Sequence, residues 1–326
     1  MSIGVYILLF AIVLILLLLV WWWRRRKLVK PSVRAPYTEV LSYPYPVYYV
    51  NLPNGMEIAY VDEGGGSQII VFVHGLGSYL SAWQRNIEGL KKHYRCIALD
   101  LPNYGKSQPG DFPFTMTFFA ETVAALILEL GLRRVVLAGH SMGGQVAMTT
   151  VLNTDVKIEK LILVAPAGFE VFTPRDKRWM LGFFRPEVVS AASKEQVEQH
   201  LAANFSGNRT PFDARFMSED RLLMREYPDY LQTYARMIPK CTAAMLNEPV
   251  YERMPQIDIP TLIIYGKEDM LIPNRFLHAG QTPAKIAKDG QSRIPGSELM
   301  LVPSSGHFVM WEGAPAVNER IRRFLK

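Results

Sequence analysis

The chain has 326 residues, with 36 Lys and Arg against 30 Asp and Glu, six His, two Cys and a net charge of +6. Arg24, Arg25, Arg26, Lys27, Lys30 and Arg34 account for the whole excess, because residues 1–38 hold no acidic side chain and the remainder balances at 30 against 30. A nucleic-acid partner needs basic groups spread over the surface that meets the phosphates, so this balance excludes one. Cys96 and Cys241 make neither a disulfide framework nor a metal quartet, and no metal and no cofactor is expected.

Residues 3–23 (IGVYILLFAIVLILLLLVWWW) are 21 positions without a charge. As a helix they span roughly 31 Å, the thickness of a bilayer's hydrocarbon core. Trp21, Trp22 and Trp23 stand where an aromatic belt belongs, and Arg24 to Lys27 follow at once. A cleaved signal peptide carries its charges before a shorter apolar core and small residues after it, which is not this pattern. The reading is therefore an N-terminal transmembrane anchor with its basic flank over residues 1–29. The membrane is then a partner, and the C-terminal domain faces the cytoplasm. The basic cluster also attracts anionic headgroups. Pro31, Pro36, Pro44 and Pro46 make 30–47 a stiff linker.

Beyond the linker, 48–52 and 56–61 flank Asn54-Gly55, a strong hairpin signal. Residues 68–73 (QIIVFV) form a short apolar run ending at His74-Gly75, 83–92 read as a helix, and 95–99 as the next strand. An amphipathic helix follows over 115–130, closed by Gly131, then a strand at 135–138 and a small-residue helix at 141–152. Strands at 161–165, 261–265 and 299–302 complete the series. Strands alternating with helices imply a mostly parallel sheet, and their unalternating apolar runs fit burial on both faces. That rhythm stops over 169–255, a helical stretch with Met180, Met217, Met224, Met237 and Met245. It reads as a helical cap inserted into a core made of 48–168 and 256–326.

The chemistry begins at Gly139-His140-Ser141-Met142-Gly143, a G-x-S-x-G between a strand and a helix. Such an elbow is strained and tightly packed, hence the glycines, and it sets Ser141 at a helix N-terminus where the dipole favours negative charge. A serine is a weak nucleophile without a base, so a carboxylate and a histidine must follow in that order. Asp269, in GKEDMLIP, and His307, in SSGHFVMWE, each leave the C-terminal end of a strand. Glu268 and Glu170 are rival acids, Glu170 because it follows the preceding strand. Among the other histidines, His93 and His200 read as surface residues and His278 as helical. His74 reads as bonded within its own loop, and His140 as pointing away from the nucleophile. The backbone N–H groups of Met142 and Leu76 are the candidate oxyanion hole. Trp83, Phe308 and Trp311 are candidate pocket residues, with the ordinary core as their other reading.

HGLG, DLPNYGKS, GHSMGGQVA, YGKEDMLIP and SGHFVMWE, in this order, resemble the α/β-hydrolase superfamily over roughly residues 45–326. The anchor, GHSMGGQVA and the following APAG are most similar to its membrane-anchored monoacylglycerol lipases. Asn103 departs from the usual glycine of the DLPGxGxS loop, but asparagine tolerates the left-handed conformation. The resemblance implies an α/β-hydrolase fold and hydrolysis of esters of lipophilic acyl groups through an acyl-enzyme. A Met-rich, aromatic cap suits such chains. Serine at the elbow argues against dehalogenases and epoxide hydrolases, which carry Asp there, and no H-x4-D acyltransferase motif occurs. Carbon–carbon bond hydrolases and cofactor-free perhydrolases share the same three residue types. A catalytically silent scaffold on this fold normally lacks one of them.

Overall fold

Runs such as Ile-Ile-Val-Phe-Val become strands with no solvent-facing side: every residue of Ile69–Val73, Val135–His140 and Thr261–Gly266 is buried. The structure, a computed structural model, describes residues 35–326, and the span expected at 3–23 with its basic flank lies outside them. Among the described residues no helix is long and apolar enough to cross a membrane.

The sheet comprises β1 (Tyr48–Asn51), β2 (Glu57–Glu63), β3 (Ile69–Val73), β4 (Arg95–Leu99), β5 (Val135–His140), β6 (Ile158–Val164), β7 (Thr261–Gly266) and β8 (Glu298–Val302). Their spatial order is β1-β2-β4-β3-β5-β6-β7-β8. β2 runs antiparallel to β1 and β4, and the remaining pairs are parallel. The hairpin at Asn54-Gly55 pairs Asn51 with Glu57, with Gly55 at φ +82°. After β3 the chain moves to one side of the sheet, and from β5 onward to the other. The loops leaving β3 and β5 therefore diverge, opening the crevice where open α/β sheets bind ligands.

Alternation within each strand divides the core in two. Val71, Val73, Leu137, Leu163 and Ile263 face one side with Val123 and Leu126 of α2 (Met116–Glu129) and Val146 of α3 (Met142–Asn153). Ile70, Phe72, Val136, Ile162 and Ile264 face the other, with Ile87 and Leu90 of α1 (Gln84–Leu90) and Val317 and Ile321 of the C-terminal helix Ala314–Leu325. Each fully buried aliphatic side chain contributes about 1.5–3 kcal/mol, which makes this double-sided core the main source of stability.

Between β6 and β7 lie five α-helices: α4 (Pro174–Phe183), α5 (Pro186–Ser190), α6 (Lys194–Ala202), α7 (Phe216–Arg225) and α8 (Pro228–Asn247). Side-chain oxygens start two of them, through the capping boxes Thr173/Asp176 and Ser193/Gln196. α9 (Pro283–Arg293) and the short α10 (Val309–Glu312) precede α11 (Ala314–Leu325). Residues 270–280, after Asp269, form turns and bends.

Residues 35–47, expected to be a stiff linker, instead lie against the body. Tyr37 and Leu41 are buried with Met224 and Tyr230 of α7 and α8, and the Tyr43 hydroxyl donates to Asp100 Oδ2 at 2.7 Å. Pro36 opens a short 3-10 turn, Pro36–Thr38, and the aromatic residues between the prolines provide apolar surface that packs.

Candidate active site

The turn between β5 and α3 carries Ser141 at φ 53°, ψ −120°, a region a serine enters only when the surroundings hold it there. Its N–H donates to Val164 O at 3.0 Å, and its carbonyl accepts from Gly144 and Ala167 at 2.9 Å each. The flanking glycines are required by close approach. A Cβ on Gly139 would stand 2.2 Å from Gly143 O, and one on Gly143 would stand 2.4 Å from Val73 O. The sequence makes this elbow because two glycines let a helix start directly above its own strand.

Asp269 follows β7 and is 3% exposed. Its Oδ1 accepts from the N–H groups of Leu271 at 2.8 Å and Ile272 at 3.0 Å, leaving Oδ2 2.8 Å from His307 Nδ1. His307 follows β8 and is equally buried. Parallel strands put both loops at the same sheet edge as the elbow, and Ser141 and His307 line one cavity there. A carboxylate on Nδ1 keeps the hydrogen on that nitrogen and turns Nε2 into the base.

The rival carboxylates have other partners. Glu268 accepts from the Ser206 hydroxyl. Glu170 accepts from Asn274 N at 2.7 Å and faces His278 Nδ1 at 2.6 Å. His278 lies in a turn rather than the expected helix, and the Glu170 carboxylate holds its pKa above the usual imidazole range. His74 behaves as read from its glycine turn: Nδ1 lies 2.9 Å from Gly75 O and Nε2 accepts from Leu101 N at 3.0 Å. Burial lowers its pKa to about 4, so it stays neutral.

His140 was expected to point elsewhere, and it does more than that. Its Nε2 lies 3.0 Å from the His307 carbonyl, and the two rings are 4.8 Å apart. Burial, followed by the nearby His307, drives its pKa well below the ordinary value, so a neutral ring donates from Nε2 and braces the His307 loop. Glu312 braces that loop from the other side, accepting from Gly306 N at 2.7 Å and from Ser206 N at 3.0 Å. Gln145 ties α3 to the end of α8 through the carbonyls of Met245 and Glu248. No linear signal marks the long-range links, because His140 reaches His307 across 167 residues, Glu312 reaches Ser206 across 106 and Gln145 reaches Met245 across 100; only the Glu312 bond to Gly306 is local.

Leu76 lines the cavity, and Met142 is the first residue of α3. Neither backbone N–H donates to an acceptor among the described residues, so both remain available to an oxyanion. Phe308 lines the cavity too, packed on His140 at 4.9 Å. Trp83 and Trp311 do not. Trp83 is fully buried against Phe72 at 4.9 Å, and Trp311 lies under Arg85 with its centroid 5.0 Å from the guanidinium. Both belong to the core on the α1/α11 side of the sheet, which outweighed their nearness in sequence to site loops. The cavity holds about 670 Å3, inside the range of roughly 300–1,000 Å3 typical of small-molecule sites. Its walls are largely apolar and include Met180, Phe184, Leu201, Met217 and Leu246 of the helical insertion.

The α/β-hydrolase fold family matches residues 68–314. The chain belongs to that family. Within it, this α/β hydrolase is 26% identical over 283 residues to the dihydrolipoyllysine-residue acetyltransferase component of the acetoin cleaving system of Cupriavidus necator, covering 83% of this chain and 67% of that protein. It thus spans about two thirds of that relative's length. It is 27% identical over 295 residues to the 2-hydroxy-6-oxononadienedioate/2-hydroxy-6-oxononatrienedioate hydrolase of Klebsiella pneumoniae, covering 85% of this chain and 94% of that one. Among solved structures, an esterase from Exiguobacterium antarcticum superposes with a TM-score of 0.70 at 24% identity, over 85% of this chain and 98% of that chain. At that identity the likeness is one of fold.

Proposed function

We propose that this α/β hydrolase is a serine carboxylester hydrolase for esters of lipophilic acyl groups, acting through an acyl-enzyme and similar to membrane-anchored monoacylglycerol lipases. The observation that carries the reading is Ser141 at a strained elbow, sharing with the Asp269-paired His307 a cavity of about 670 Å3 with largely apolar walls. His307 Nε2 takes the Ser141 proton as Oγ attacks the ester carbonyl. Asp269 holds the imidazole's orientation and stabilises the cation that forms. The Leu76 and Met142 N–H groups receive the oxyanion, a contribution of about 10²–10³ in rate for each donor. His307 returns the proton to the leaving alcohol. It then activates water, which releases the acid. Residues 169–255 act as the cap that supplies the acyl pocket. The apolar segment 3–23 and the basic residues behind it hold the enzyme on a membrane, with the hydrolase domain on the cytoplasmic side.

The test is a chain-length series of p-nitrophenyl esters and monoacylglycerols on the wild type and Ser141→Ala. Turnover that rises with acyl length and vanishes in the variant supports the reading. Wild-type inertness on all of them refutes it. The orientation fails if protease outside intact cells removes the hydrolase domain.

One observation favours a second reading, carbon–carbon bond hydrolysis with the same three residues. Arg221 of α7 lines the cavity, with its guanidinium 5.5 Å from the Tyr234 ring centroid and donating to the Gly77 carbonyl. It has no carboxylate partner among the described residues. A half-buried cation in that state suits an anionic substrate. Turnover of a vinylogous diketone acid, with every ester inert, selects this alternative.

A further inference from the structure

α4 carries Trp, Met, Leu and Phe in ten residues, yet none of its side chains is buried. Trp179 and Phe183, one helical turn apart, meet with centroids 4.6 Å apart, and Phe276 of the loop after Asp269 stands 5.9 Å from Trp179. Phe276 is 83% exposed and Phe183 58%, and with Val171, Val188 and Leu271 they make one exposed apolar patch. Single exposed apolar residues need no explanation, but a contiguous aromatic cluster does. The patch is the rim of the cavity, since Phe183, Val171, Val188 and Leu271 also line it.

The surrounding charge is net positive. Residues 171–188 and 271–278 together carry five basic and two acidic side chains. Of the two acids, Asp176 is engaged in the α4 capping box. Arg175, Arg178, Arg185 and Arg275 are exposed, and none forms an ion pair among the described residues. On α4 the stripe Arg175/Arg178 adjoins the stripe Trp179/Phe183. Aromatic side chains beside unpaired arginines match the layered chemistry of a bilayer surface, with anionic headgroups above acyl chains.

We infer that the face formed by α4 and residues 271–276 docks on an anionic lipid bilayer, with the aromatic cluster at the acyl boundary and the arginines among the headgroups. The cavity mouth then opens into the lipid phase, and an apolar substrate passes from bilayer to site without crossing water. That entry route rests on the ester-hydrolase reading. The docking itself does not.

The test uses the full chain in vesicles of phosphatidylcholine with phosphatidylglycerol. Phe276→Cys and Trp179→Cys are each labelled with an environment-sensitive fluorophore; the native Cys96 and Cys241 are buried and do not compete. Leu128→Cys, at an exposed position on α2, is the reference. Blue-shifted emission quenched by spin-labelled lipid at 179 and 276 but not at 128, and weaker without phosphatidylglycerol or at high salt, supports the inference. No quenching at 276, or equal quenching at 128, overturns it. So does concentration-dependent shielding of 276 without vesicles, which would make the patch a contact between copies of the chain. All these readouts are independent of turnover. If esters are substrates, Trp179→Glu/Phe276→Glu raises KM for monoacylglycerol in vesicles and leaves a water-soluble short ester unaffected.

Discussion

Asp269→Asn isolates what the carboxylate does. Asp269 Oδ1 accepts from two N–H groups, at 2.8 and 3.0 Å, and Oδ2 faces His307 Nδ1 at 2.8 Å. An asparagine has one oxygen, and two fixed backbone donors claim it at the Oδ1 position. Its amide nitrogen therefore lies where Oδ2 was and donates to His307 Nδ1. That selects the tautomer with the hydrogen on Nε2, which cannot take the Ser141 proton. The site is too buried for water to substitute, with both residues 3% exposed. Loss of the tautomer and of the imidazolium's counter-charge costs about 10⁴ in kcat, or about 5 kcal/mol of transition-state stabilisation. The assay is kcat and KM for the best ester of the chain-length series, beside Glu170→Gln. Asp269→Asn should lose kcat with little change in KM, while Glu170→Gln keeps kcat because its carboxylate serves His278. A loss below about tenfold for Asp269→Asn, or a larger loss for Glu170→Gln, refutes the assignment of the acid.

Further outcomes follow from the same contacts. Gly139→Ala forces a Cβ to within 2.2 Å of the Gly143 carbonyl and should destabilise by about 3 kcal/mol, read as a lowered denaturation midpoint. The Glu170–His278 pair should support the fold when the imidazole is charged. Because Glu170 raises the His278 pKa, that contribution is complete below the unfolded value near 6.5 and lost as pH rises through the raised folded value. The gap in melting temperature between wild type and Glu170→Gln should accordingly close with rising pH, and a gap constant with pH would contradict this. Met180→Trp fills the cavity and should shift preference to shorter acyl chains. Trp83→Phe should lower stability and leave the chain-length profile unchanged, since Trp83 is core.

Much of the hydrolase body was legible because its signals are local. Apolar runs of four to six residues, turn glycines and the Asn54-Gly55 pair act over a few positions, and strands appear at or near each expected place. The ends shifted where backbone pairing outranked side-chain pattern. β6 begins at Ile158 because that residue pairs with Val135, though the apolar run starts later. α9 and α11 escaped notice: α9 buries only Ile286, Ala287 and Gly290, with Lys285, Lys288 and Arg293 interspersed, and its Thr282 cap is a single side chain. The segment 35–47 was misread because proline content describes local stiffness and says nothing of the α7 and α8 surface on which Tyr37 and Leu41 pack.

The same division holds at the site. The chemical parts are readable along the chain: a serine between glycines after a strand, then an acid and a histidine after two later strands. Backbone geometry at an elbow and the order of parallel strands are written in neighbouring residues. Which acid meets His307 follows from the folded chain, since Glu170, Glu268 and Asp269 all leave strand ends and differ in what three-dimensional neighbours claim them. The folded chain also decided that Phe308 faces the cavity while Trp83 and Trp311 face the core, and that His140 and Glu312 brace the His307 loop. Those outcomes depend on contacts across the whole chain, where packing and burial of charge select among side chains that are equivalent in sequence.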